Sequence, residues 1–145
     1  MKCLTIATLG LTLLAAPAFA DGHASGDAEA GEKVFKKCKS CHMIVADDDT
    51  VIQKGGKTGP NLYGLFDRQL GAVEGFKYSK HLAAAGEADL KWNEAEFVEW
   101  VADPKAFLKD RLDDSKAKSK MSFKLKDADD AANIWAYLVS VGPAT

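Results

Sequence analysis

Apolar residues recur at helical spacing in five short stretches of the chain, and four of these open at a residue able to cap a helix. Asp27 stands before Glu29, with Val34, Phe35 and Cys38 along one side, which predicts a helix running to about Cys38. Tyr78 to Ala85 forms a shorter Ala-rich stretch with Gly86 as its stop. Asn93-Glu94-Ala95-Glu96 has the form of a capping box, and Phe97, Trp100 and Val101 make the stripe behind it. Asp103-Pro104 ends that helix and starts a short one through Phe107 and Leu108. The clearest helix opens at Asp127, places Ala131, Ile134, Trp135 and Leu138 at i, i+3, i+4 and i+7, and stops at Gly142-Pro143. No alternating run of useful length predicts a strand, so the expected class is all-α. Between Met43 and Gly75 the periodicity is weak. A loop of that length in a small domain implies a task such as wrapping a large ligand. Gly56-Lys57-Thr58 lacks the earlier glycine of a phosphate loop, because position 51 is Val.

The first twenty residues follow a different pattern. Lys2 precedes an apolar run from Leu4 to Ala16, and Ala18-Phe19-Ala20 offers the small-x-small site that signal peptidase cuts. Residues 1–20 are expected to be a cleaved secretory signal and 21–145 the mature protein, a single domain starting in a polar, flexible leader. The run is short for an uncleaved anchor, and Cys3 lies before it, where lipoprotein processing would not expose it. Loss of Lys2 leaves 18 basic and 21 acidic side chains, a net charge of −3. That balance gives no general attraction to nucleic acid, and no later apolar run is long enough to cross a membrane. At 47% hydrophobic residues the chain is too apolar to be disordered.

Export leaves two cysteines, in Cys38-Lys39-Ser40-Cys41-His42. A structural zinc site needs about four ligands, and no second pair completes one. A thioredoxin-like pair needs a strand before it, and none is predicted. A plain disulfide leaves His42 without a role. Covalent haem attachment uses all three residues: each thiol adds across one haem vinyl group, and the adjacent imidazole supplies an axial nitrogen to iron. For the second axial position the candidates are Met43, Met121, His23 and His81. Met43 is too close to His42 to reach the other face, His23 lies in the leader, and His81 reads as a surface residue of an Ala-rich helix. Met121, in Ser119-Lys120-Met121-Ser122-Phe123, is either core filler or the ligand.

Beyond the haem motif, the mature chain resembles the class I cytochromes c, especially the large bacterial cytochrome c2 or c550 group. The likeness runs through Gly31 to Phe35, Lys57-Thr58-Gly59-Pro60-Asn61-Leu62-Tyr63-Gly64-Leu65-Phe66 and Gly75-Phe76-Lys77-Tyr78. It continues in Trp92, Asp103-Pro104, Lys120-Met121-Ser122-Phe123 and Ile134-Trp135-Ala136-Tyr137-Leu138. The resemblance implies a few helices and long loops around one haem c, with Met121 as sixth ligand opposite His42. It implies that the Pro60 carbonyl orients His42, that Arg68, Tyr78 and Trp92 hold a buried propionate, and that Gly31, Phe35 and Tyr137 form the crossing of the first and last helices. Extra residues relative to the short mitochondrial form fall around Asp47–Val51, Ala85–Asp89 and Arg111–Lys118.

The function this implies is that of a periplasmic, monomeric carrier of single electrons and not an enzyme. Its donor would be a cytochrome bc1-type complex, and its acceptor a photosynthetic reaction centre or a terminal cytochrome c oxidase. Charge placement adds a docking surface: Lys36, Lys37, Lys39 and Lys57 lie near the haem motif, and Lys116, Lys118, Lys120, Lys124 and Lys126 flank Met121. Folding would gather them around the haem edge, where they would steer the protein onto acidic faces. The alternatives are a haem enzyme or gas-binding protein with a displaceable distal ligand, and a dedicated redox partner of a periplasmic dehydrogenase. Ligand binding at the iron separates the first, and stable co-purification the second.

Overall fold

Each helix begins where a side chain takes up an amide that has no partner inside the helix. The computed structural model describes residues 23–143, so the expected signal sequence lies outside the described residues. In α1 (Ala28–Phe35), Asp27 accepts from Ala30 N–H at 2.8 Å. In α2 (Lys80–Glu87), Ser79 accepts from Leu82 N–H at 3.2 Å. Asn93 caps α3 (Glu94–Ala102) at 3.0 Å, and Asp103 caps α4 (Pro104–Arg111) through the amides of Lys105 and Ala106. Asp127 caps α5 (Ala128–Ser140) at 2.9 Å.

The expected stop at Gly86 is not where α2 ends. The helix runs through Gly86, and the chain reverses at Asp89, in the left-handed region at φ 61°. Gly86 is small for a packing reason: a Cβ there would overlap the Leu70 carbonyl. A two-stranded antiparallel hairpin also escaped the sequence pattern. Its strands, β1 (Ile44–Val45) and β2 (Val51–Gln53), are too short to show alternation. The turn between them carries Asp49 at φ 66° and an Asp48 carboxylate that accepts from Thr50 N–H at 3.0 Å.

The core forms where α1 crosses α5. Gly31 is buried at the crossing, and a Cβ on it would overlap the Asn133 carbonyl and crowd Tyr137. Phe35 and Tyr137 pack ring to ring at 5.7 Å, and Asp27 N–H donates to Asn133 Oδ1 at 2.7 Å. Phe35, Ile44, Leu70, Leu108, Ile134 and Trp135 are fully buried around this contact. Residues 23–27 are tied down against this core, which corrects the expectation of a flexible leader there. Trp135 Nε1 donates to the His23 carbonyl at 2.7 Å, and the His23 ring lies 4.3 Å from that of Phe66. Ser25 N–H and hydroxyl both donate to the Glu94 carboxylate. Among the described residues no helix is long and apolar enough to cross a membrane.

Candidate haem site

The segment that follows α1 turns tightly on itself. Cys38 N–H donates to the Phe35 carbonyl at 2.8 Å, and the amides of Cys41 and His42 both donate to the Cys38 carbonyl, at 3.1 and 3.0 Å. Cys38, Cys41 and His42 thereby reach one cavity of about 250 Å³. Both cysteines are free thiols, Cys38 half-buried and Cys41 exposed. Burial pushes the Cys38 thiol up to about 11, while the hydroxyls of Thr58 and then Ser40 draw Cys41 down. The thiols therefore sit in unequal surroundings.

His42 is fixed in one tautomer. Its Nδ1 lies 2.9 Å from the Pro60 carbonyl, which can only accept, so the proton is on Nδ1 and Nε2 keeps a lone pair. Burial lowers the imidazole pKa more than the Pro60 carbonyl raises it, which favours the neutral, metal-binding form. The weakly periodic loop after Met43 is the scaffold of this arrangement. Gly56 N–H donates to the Lys39 carbonyl at 2.9 Å, and Gly59 N–H to the Cys41 carbonyl at 2.8 Å. Gly59 lies so near the imidazole that a Cβ would overlap the ring.

Met121 lines the same cavity, joined by the apolar side chains of Leu62, Leu65, Phe97, Trp100, Val101 and Ile134. Arg68, Tyr78 and Trp92 bring donors to it. Arg68 Nη1 and Nη2 donate to the carbonyls of Tyr63 and Asn61 at 2.8 and 3.1 Å, and burial lowers its pKa. The Tyr78 hydroxyl accepts from Val73 N–H at 3.4 Å and so retains its own proton to donate. Trp92 is buried, stacked 6.3 Å from Phe107 and edge-on to Trp100 at 5.7 Å. Among the described residues no Asp or Glu lines the cavity. Two thiols, an imidazole with a fixed lone pair, a thioether, apolar walls and donors without competing acids fit a haem with its propionates.

All eight sequence-predicted site residues line this one cavity. The lysines divide into two sets. Lys37 pairs with Asp130 at 2.8 Å, Lys124 with Asp103 at 2.5 Å, and Lys120 Nζ donates to the Lys77 carbonyl at 2.6 Å. Lys36, Lys39, Lys57, Lys116, Lys118 and Lys126 make no side-chain hydrogen bond or ion pair among the described residues, and all but the half-buried Lys39 are exposed. His81 contradicts its reading as a surface residue. Its side chain is buried between α2 and the segment after α4, where Nδ1 accepts from Lys118 N–H at 3.2 Å and Nε2 lies 3.6 Å from Asp114. A histidine in an Ala-rich helix gave no local sign of this, since its partners stand more than thirty positions away.

The chain is similar to known proteins along most of its length. Residues 28–142 match the family model of cytochrome c. The chain is 56% identical to cytochrome c-551 of Roseobacter denitrificans over 133 residues, covering 92% of this chain and 91% of that protein. It is 52% identical to cytochrome c2 of Rhodobacter capsulatus, covering 95% and 96%. The structure of cytochrome c2 from Rhodobacter sphaeroides superposes with a TM-score of 0.80 at 49% identity, covering 83% of this chain and all of that one. Ferric cytochrome c-550 from Paracoccus versutus gives 0.78 at 49%, covering 82% and 100%. With its Cys-x-x-Cys-His segment, its pocket and relatives at about half identity along most of its length, the chain belongs to the cytochrome c family, whose cofactor is a covalently bound haem c.

Proposed function

We propose that residues 21–145 form a periplasmic electron carrier that holds one haem through thioethers at Cys38 and Cys41. His42 Nε2 and the Met121 sulfur would ligate its iron. The observation that carries this reading is the meeting of His42, its Nδ1 proton held by Pro60, with Met121 in one apolar, acid-free cavity. Bound there, the haem supplies an iron that alternates between the ferrous and ferric states. A thioether opposite a neutral imidazole favours the ferrous form and raises the potential, and an occupied sixth position keeps small molecules off the metal. Arg68, Tyr78 and Trp92 would neutralise and hydrogen-bond a propionate, and the Pro60 carbonyl keeps His42 in one orientation through each change of charge.

The expected donor is a cytochrome bc1-type complex, and the acceptor a photosynthetic reaction centre or a cytochrome c oxidase. Docking would be transient and salt-sensitive, through the unpaired Lys36, Lys39, Lys57, Lys116, Lys118 and Lys126 more than through Lys37, Lys120 and Lys124, which have partners within the protein. The test is an optical redox titration of the holoprotein beside Met121→Ala. The wild type should show the sulfur-to-iron charge-transfer band and a positive potential. The variant should lose the band and at least about 0.1 V, a modest part of the ~0.8 V range that axial ligands command. A wild type without the band, or at low potential, would refute the ligand assignment and favour a haem protein with an open or displaceable sixth site.

A further inference from the structure

Residues 118–124, which carry Met121, have no backbone–backbone hydrogen bond among the described residues. The last such bond before them joins Ala117 N–H to the Asp114 carbonyl at 3.0 Å, and the next joins Leu125 N–H to the Val101 carbonyl at 2.7 Å. Within that gap the only backbone amides with acceptors are those of Lys118, which donates to His81 Nδ1, and Met121, which donates to Ser119 Oγ at 3.0 Å. The Ser119 contact is internal to the segment and cannot locate it. His81 can, because it stands on α2 and is 8% exposed. Its ring is also polarised in the required sense. Acceptance at Nδ1 places the neutral ring's proton on Nε2, which faces Asp114 Oδ2 at 3.6 Å.

We propose that His81 is a positioning residue for Met121: by accepting the Lys118 amide it fixes the start of the segment that presents the thioether. This rests on Met121 being the sixth ligand. With His81 in place the segment is anchored to α2 at its start and to the end of α3 at its close, and the sulfur is delivered from a loop of defined span. Without it, the side-chain contacts that tie residues 118–124 to other elements among the described residues are those of Lys120 with the Lys77 carbonyl and of Lys124 with Asp103, and the open form becomes easier to reach.

The experiment compares wild-type holoprotein, His81→Leu and His81→Asn by titration with imidazole, which competes for the sixth position and erases the charge-transfer band. His81→Leu should bind imidazole about five-fold more tightly, the factor that one net hydrogen bond represents. His81→Asn, whose Oδ1 can take the place of Nδ1, should return to within about two-fold of wild type. Amide exchange gives a second readout: the Lys118 N–H should be protected in wild type and in His81→Asn, and exposed in His81→Leu. Unchanged imidazole affinity in His81→Leu, or equal effects of Leu and Asn, would overturn the positioning role while leaving the band, and so the ligand, in place. A wild type without the band overturns both. If His81→Leu does not accumulate with haem, a Lys118 amide that exchanges in wild type at the open-chain rate is sufficient to overturn the proposal.

Discussion

Residues 38–60 and residues 118–124 bring His42 and Met121 to one pocket, and the chain secures the two segments differently. The first is tied by backbone to backbone: Cys41 and His42 onto Cys38, Gly56 onto Lys39, and Gly59 onto Cys41. It is further locked by the bond from His42 to Pro60. The second has no such bonds and depends on side chains, through His81, Lys120 and Lys124. Backbone ladders open together or not at all, whereas side-chain contacts can be lost singly. On the proposed ligation, any exchange of ligand at the iron should therefore begin at Met121, and the histidine side should outlast it.

The largest effect expected from this contrast is on the histidine side. Gly59→Ala places a methyl group in the imidazole ring's space and must displace either the loop or His42. A loss of about 3 kcal/mol is expected, as for other overpacked sites, together with poor loading of haem. Ser122→Ala, on the exposed Met121 segment, should lie within about 0.5 kcal/mol of wild type. Chemical denaturation of the two variants in parallel makes the comparison, and equal destabilisation would break it. A smaller effect separates two lysines. Lys126→Glu should slow electron transfer to an acidic partner several-fold at low salt, with the loss fading as salt screens it, and should leave the charge-transfer band alone. Lys120→Glu should slow transfer less and also make the band easier to displace, because the Lys77 carbonyl loses its donor. If the two variants behave alike in imidazole titration, Lys120 serves docking only.

The smallest shift concerns the exposed pair behind the segment. Lys124 first, and then the α4 amides, hold the Asp103 carboxyl below the usual carboxylate range. A carboxylate depressed in the folded state adds stability above its unfolded pKa and loses it as the pH falls through the folded value. Wild type should therefore exceed Asp103→Asn slightly at neutral pH, and the two should converge in acid. Thermal midpoints across that range measure it, and a gap that persists at low pH would assign the effect to the cap alone.

What could be read from the sequence was what is local. Asp27, Asn93, Asp103 and Asp127 cap the helices they were expected to cap, because capping is settled within three residues. The cysteines and His42 stand within a single turn, so one short motif carried the haem reading once the expected export and the lack of other mature cysteines had set aside its competitors. The reach of Met121 and of Arg68, Tyr78 and Trp92 into the same cavity came through family resemblance, since nothing near them in sequence says where they point. What stayed hidden depends on distant partners. The burial of His81 is decided by Asp114 and Lys118, the place of His23 by Trp135, and the smallness of Gly86 by Leu70. No window of a dozen residues contains both halves of any of these pairs.

The crossing of α1 with α5 has a consequence in time as well as in space. Asp27 meets Asn133 across 106 positions, and the His23 carbonyl meets Trp135 across 112. The partners that close the core thus stand more than a hundred positions apart, one set before α1 and the other on α5. A nascent chain that ends before Tyr137 lacks part of the surface against which Gly31 and Phe35 are packed, so the fold cannot be completed by instalments. It closes only after α5 has emerged. Deleting the last turn of α5 should therefore leave a chain that is unfolded throughout and does not merely fray at one end.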